Sequence, residues 1–216
     1  MAKGYEPKKL LVEGQEDLRV IPELIEKNGI RWGDKKSEAI VVSIQDCKGY
    51  ENMNADLIST ELQASGLTHL GVIIDADEDL PARWISIRNA CLPSIPEIPE
   101  EISEKGLLLT TNGIKFGVWI MPDNLMRGML ETFLAYMIRD ESEPLWLYAQ
   151  EVVAEAKNRG APFIDSHIDK AYIYTWLAWQ KPPGRQLHNA INEEILNPQH
   201  PKAQTFVTWF KTLYEL

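Results

Sequence analysis

His69-Leu70-Gly71-Val72-Ile73-Ile74-Asp75-Ala76-Asp77 is an apolar run that ends in two carboxylates, and Leu10-Leu11-Val12-Glu13-Gly14 repeats the pattern in shorter form nearer the amino terminus. Near-continuous apolar runs of this length suit strands covered on both faces, as in a parallel sheet whose crossovers are helices. The segments between them fit. After Gly14, the residues Leu18, Ile21, Leu24 and Ile25 recur at helical spacing, and Asn28-Gly29 supplies a stop. Ala39 to Ile44 is β-branched and continuous, which predicts a second buried strand. Asn54 to Ser65 predicts an amphipathic helix closed by Gly66, and Pro81 to Cys91 a further helix with proline in its permitted first turn. Three alternations of strand and helix define an α/β fold with a mainly parallel, Rossmann-like sheet flanked by helices.

Pro93, Pro96 and Pro99 interrupt this rhythm, and the stretch from Leu92 to Glu101 reads as an extended surface connection. Leu107 to Thr110 and Lys115 to Met121 then flank Asn112-Gly113, a strong hairpin signal that closes the sheet. From Gly128 the pattern is helical, through Met137 and then over 143–158, 165–180 and 202–214. Residues 1–140 therefore read as the α/β domain and 141–216 as a helical extension packed on it. Trp146, Trp176, Trp179 and Trp209 lie in that extension and are expected in its core.

The chain carries 22 Lys and Arg against 32 Asp and Glu, a formal charge of −10, whereas proteins that hold phosphate backbones by charge alone carry a basic surplus. Phosphate chemistry here would need a local device such as metal ions. Cys47 and Cys91 form no CxxC pair, so neither a disulfide framework nor a zinc ribbon is expected, and a reducing, cytoplasmic setting is. The amino terminus lacks the apolar core of a signal peptide, and no run reaches membrane-spanning length.

In an open parallel sheet, ligands gather at the carboxyl ends of the strands. The acids there are Glu13 with Asp17, Asp46, and the pair Asp75 and Asp77, whose i, i+2 spacing on an extended strand end points both carboxylates to one side. If the first and third strands are neighbours, these anions converge and repel unless a hard divalent cation neutralises them. The competing reading makes Asp75 to Asp79 a helix cap and solvated turn. His69, His167, His188 and His200 show no ligand spacing.

Leu11-Val12-Glu13-Gly14 followed by Val72-Ile73-Ile74-Asp75-Ala76-Asp77 resembles the two signature motifs of the TOPRIM fold, shared by topoisomerases, primases, RecR-type repair proteins and OLD-family nucleases. The similarity spans residues 8 to 135 and is nearest to small stand-alone TOPRIM-like proteins allied to the OLD-type nucleases. Asp17, four positions after the glutamate, and the segment from Gly117 to Glu131 extend it. The resemblance implies a nuclease that hydrolyses phosphodiesters with Mg²⁺ or Mn²⁺. It makes Glu13 the acid/base or metal-binding glutamate, Asp75 and Asp77 the metal ligands, and Asp17 with Glu131 a second metal site. It also implies a lysine near the scissile phosphate, matched by Lys170 before Ala171, while Lys48 beside Gly49 is another candidate phosphate contact. No strand-passage tyrosine domain, zinc finger or Walker A motif is evident, so topoisomerase and primase activities are disfavoured, and an OLD-type ATPase would have to be a partner protein. Two other readings stand beside the nuclease: a non-catalytic TOPRIM-like module binding nucleic acid or protein, and an interaction protein that recruits a partner through the proline-rich loop or the tryptophans.

Overall fold

The computed structural model describes residues 6–33 and 40–216. Five strands form one sheet in the order β2-β1-β3-β5-β4, where β1 is Lys8–Val12, β2 Ser43–Asp46, β3 His69–Asp75, β4 Leu107–Thr111 and β5 Ile114–Met121. β1 pairs in parallel with β2 and β3, β3 pairs in parallel with β5, and β4 runs antiparallel to β5. The chain is thus an α/β protein with a mainly parallel sheet, flanked by helices on both faces. Asn112 and Gly113 both have positive φ, 49° and 80°, the left-handed pair that a two-residue hairpin of type I′ requires.

Alternation along each strand divides the apolar residues between two cores. Leu10, Val12, Ile73, Trp119 and Met121 face one core, and Leu11, Val72, Ile74, Val118 and Ile120 the other. The second core is closed by α2 (Ala55–Leu62) and α3 (Leu80–Cys91). The first takes α1 (Gln15–Lys27), α4 (Leu130–Ala135), α5 (Glu143–Asn158), α6 (Ile168–Ala178), α7 (Leu187–Asn192) and α8 (Pro201–Tyr214). α8 lies directly on β3 and β5. Gly71 and Gly117 are register partners there, and a Cβ on Gly71 would sit 2.4 Å from Tyr214 Oη and 2.8 Å from Leu10 Cδ1. The paired glycines open the trough that Leu213 and Tyr214 fill.

Several expectations are corrected. β2 is a half-buried edge strand over 43–46, not a strand covered on both faces over 39–44. The cause is local: Val41 N–H donates to Trp32 O at 2.9 Å and Val42 turns into the α1 core, so pairing begins only at Ser43. Ala39, expected at the head of that strand, and residues 1–5 lie outside the described residues. The proline-rich stretch is a series of packed turns rather than an extended surface segment. Ile95 and Ile98 are buried in the α3 core, and Trp84 Nε1 and Arg88 Nε donate to the carbonyls of Glu100 and Pro99, each at 2.8 Å. Trp176 and Trp209 are buried as expected, but Trp179 is 39% exposed and stacks on exposed Tyr148 with ring centres 5.6 Å apart. α7 packs on α1 and has no counterpart in the sequence reading. No described helix is long and apolar enough to cross a membrane.

Candidate functional site

β1 and β3 are neighbours, so the residues that follow them meet. Glu13 leaves β1 and Asp75 ends β3, and Asp75 N–H donates to Glu13 Oε2 at 3.0 Å. Asp17 lies in the first turn of α1, where its Oδ2 accepts from Gly14 N–H at 3.1 Å. Glu131 lies in the first turn of α4, whose leading N–H, on Leu130, donates to Asp75 Oδ1 at 3.0 Å. Two helix amino termini thus turn orphan amides toward one acidic cleft, an arrangement that favours anions there. The cleft has a volume of about 250 Å³ and is lined by Glu13, Asp17, Asp75, Glu131, Lys170 and Gly49.

Burial dominates the electrostatics. Asp17 and Glu131 are buried, and Asp75, though reached by solvent through the cleft, is surrounded by protein. Burial pushes the Asp17 carboxyl up to about 7, helped by the charges of Glu13 and Glu131 and opposed by the Gly14 amide. Asp75 is raised well above the ordinary carboxylate range by burial and then by Asp17, Glu13 and Glu131. Glu13 and Glu131 are raised chiefly by burial too. Glu16 also lines the cleft, so five carboxylates share it, and burial penalises the negative charge of Glu13, Asp17, Asp75 and Glu131.

Lys170 is the basic side chain of the cleft, with Nζ 3.8 Å from Glu131 Oε1. Its placement depends on a joint between α4 and α6. Thr132 Oγ1 accepts from Met129 N–H at 3.0 Å and donates to Asp169 Oδ2, so the residue before Lys170 is tied to the turn that carries Glu131. Lys48 is exposed in the loop before Gly49, and its N–H donates to Asp46 Oδ1 at 2.7 Å.

Asp77 does not join the others. β3 ends at Asp75, and Asp77 adopts φ 51°, so the alternation expected to align the two carboxylates is broken. Its backbone bridges to Gly128 through two hydrogen bonds of 2.8 Å, and its carboxylate pairs with Arg83 Nη2. Among the described residues, no three His, Cys, Asp or Glu side chains gather tightly enough to hold a metal ion by themselves. Mg²⁺, however, binds through one or two carboxylates and completes its shell with water or phosphate oxygens. Glu13 and Asp75, hard oxygen donors that line the same cleft, fit that requirement.

Sequence reasoning missed Arg83, Tyr50, Gly128 and the Thr132–Asp169 joint. Arg83 had a signal, six residues after Asp77 and at the start of the helix that follows. A larger groove of about 440 Å³ runs between β4 and α8, but its lining of leucine, proline, threonine and tryptophan carries only Lys105 as a charge and offers no convergent chemistry.

The fold and cleft define an α/β protein with carboxylates gathered at the carboxyl edge of its parallel strands. The family model described as a protein of unknown function, DUF3226, matches residues 7–215, and the chain belongs to that family. No curated protein and no solved structure matches it.

Proposed function

We propose that this protein is a TOPRIM-like, metal-dependent nuclease that hydrolyses nucleic-acid phosphodiesters, related in chemistry to the OLD-type enzymes. The observation that carries the reading is the meeting of Glu13 and Asp75 at the ends of adjacent parallel strands, in a cleft that also takes Asp17, Glu131 and Lys170. Glu13 and Asp75 would hold Mg²⁺ or Mn²⁺, and Asp17 with Glu131 a second ion. Bound there, a divalent cation would supply Lewis-acid polarisation of a phosphoryl oxygen and charge stabilisation for a leaving alkoxide.

The protein's own groups supply the rest. Glu13 accepts from Asp75 N–H through Oε2, which leaves its other carboxylate oxygen to take the proton of the attacking water. Lys170, anchored through Asp169 to α4, neutralises a phosphate oxygen at the mouth. An acidic chain of this kind binds a polyanion at such a site only when cations are present, which makes a partner protein, an ATPase among them, a natural source of additional basic surface.

The test is incubation of the purified protein with plasmid, single-stranded DNA and RNA in Mn²⁺, beside Glu13→Gln and Asp75→Asn. Cleavage by the wild type that falls at least a hundredfold in either variant is the expected outcome, on the order of one lost catalytic group. No cleavage, or cleavage equal in the variants, would leave a non-catalytic binding module.

A further inference from the structure

Arg83, which the sequence reading did not use, lines with Tyr50 and Asp77 a second hollow of about 250 Å³, set next to the acidic cleft by the neighbouring residues Gly49 and Asp75. It stands in the first turn of α3, and its side chain is only 9% exposed. Two groups hold it. Nη2 donates to Asp77 Oδ2, and the guanidinium carbon stands over the Tyr50 ring, 3.4 Å from its centre. Tyr50 is placed in turn by its neighbour Gly49, whose N–H donates to Glu13 O at 2.9 Å and which lines the cleft. The guanidinium therefore rests on the loop hydrogen-bonded to Glu13, and its charge acts on the Glu13 carboxylate.

Burial of an arginine on a ring and a carboxylate is a costly way to tie down a surface turn, since the ion must give up water. It is an effective way to present a rigid fork. A guanidinium has five N–H donors in one plane, so one edge can be held by a carboxylate while another binds a phosphate. The conformation of Asp77 supports this division of roles. Its left-handed φ and the backbone bridge to Gly128 turn its carboxylate from Asp75 toward Arg83.

We infer that Arg83 is a phosphate-binding residue in the hollow adjoining the acidic cleft, and that Asp77 and Tyr50 are positioning residues that hold its guanidinium for the backbone of a nucleic-acid strand that runs on from the cleft. The inference rests on the nuclease reading for its substrate class. It departs from the resemblance on one point: Asp77 serves the arginine and not the metal.

Two readouts separate these roles. The first is fluorescence anisotropy of a labelled single-stranded DNA oligonucleotide in Ca²⁺, an ion chosen to support binding without turnover. The second is the Mn²⁺ concentration that half-saturates the thermal shift of the protein. Arg83→Gln is expected to weaken oligonucleotide binding about tenfold or more, the scale of one charge-assisted hydrogen bond, with Arg83→Lys intermediate. Asp77→Asn is expected to weaken it severalfold, because the guanidinium loses its anchor, while all three variants keep a saturable Mn²⁺ shift whose midpoint moves no more than severalfold, the effect of a changed charge beside Glu13 and Asp75. Unchanged oligonucleotide binding in Arg83→Gln overturns the proposal, and so does loss of the Mn²⁺ shift in Asp77→Asn, which would make Asp77 a ligand. A variant that has lost its fold is recognised by its melting curve in EDTA, and Arg83→Lys with Tyr50→Phe then carries the test, since Tyr50→Phe keeps the ring and is expected to keep the affinity. Wild type that shifts with Mn²⁺ yet binds no oligonucleotide also overturns the proposal but leaves the metal cleft standing. Wild type with no Mn²⁺ shift sinks the metal reading, and the anisotropy series still decides the role of Arg83.

Discussion

At the scale of single residues, the carboxylates of the cleft couple stability to pH. Asp17 has its carboxyl raised by burial to about 7, while in the unfolded chain it titrates near the ordinary value of about 4. Between those values the folded state holds a proton that the unfolded state has released, so stability is fully present below about pH 4 and is lost as pH rises toward about 7. Asp17→Asn keeps an oxygen for Gly14 N–H and removes the charge. It is expected to raise the stability of the metal-free protein at pH 8 by on the order of 3 kcal/mol, or about 5–10 °C in Tm, with little effect at pH 4. Melting curves in EDTA across this range check it, and a wild-type profile that does not fall would refute the placement of Asp17. Mn²⁺ acts in the opposite sense, since a cation favours the deprotonated cluster. Its stabilising shift should therefore be larger at pH 8 than at pH 5. Glu13, Asp17 and Asp75 were legible as acids at or just after the ends of buried strands, whereas Glu131 was reached only through the TOPRIM resemblance. The direction of Asp77 was not legible, because it depends on a φ of 51° that a strand pattern does not encode.

Elements hold the site through a few contacts whose geometry leaves little freedom. Gly128 has φ 138°, and a Cβ there would meet Thr132 Oγ1 at 2.6 Å. Gly128→Ala must strain the backbone and displace the first turn of α4, so it is expected to cost about 1–3 kcal/mol and to disturb both the Leu130–Asp75 hydrogen bond and the Asp77 bridge. Urea unfolding measures the first effect and the Mn²⁺ thermal shift the second. Thr132→Val preserves shape but removes the acceptor of Met129 N–H and the donor to Asp169, an expected loss of about 1–2 kcal/mol with Lys170 freed to move. Equal stability of this variant and wild type would show that the α4–α6 joint is not held there. The strands, the hairpin and most helices could be read in advance, since periodicity and turn chemistry are local. The edge position of β2 and the packed turns after α3 could not, because they follow from Val41 bonding to Trp32 and from where Ile95 and Ile98 find cover.

In the whole molecule, the sheet depends on its last helix. Phe206, Val207, Trp209, Phe210, Leu213 and Tyr214 of α8 are all buried against the sheet core, and each large apolar side chain contributes about 1.5–3 kcal/mol by leaving water. Their sum reaches the net stability of an ordinary domain, about 5–15 kcal/mol. A chain ended at His200 is therefore expected to lose cooperative unfolding, seen as a broad urea transition in far-ultraviolet circular dichroism. A sharp transition in that truncated chain would contradict the packing described here. Leu10-Leu11-Val12 before Glu13, Val72-Ile73-Ile74 before Asp75, and Asn112-Gly113 by themselves determined an α/β chain with a hairpin and with acids at its strand ends. Apolar period and turn preference act over a few residues, which is why that much is written locally. Only the tertiary structure decided that β1 and β3 are neighbours, that α1 and α4 bring Asp17 and Glu131 to the same cleft, and that Asp77 faces Arg83 instead. Those outcomes depend on which distant surfaces bury one another and on backbone turns set by Gly128, and neither has a signature along the chain.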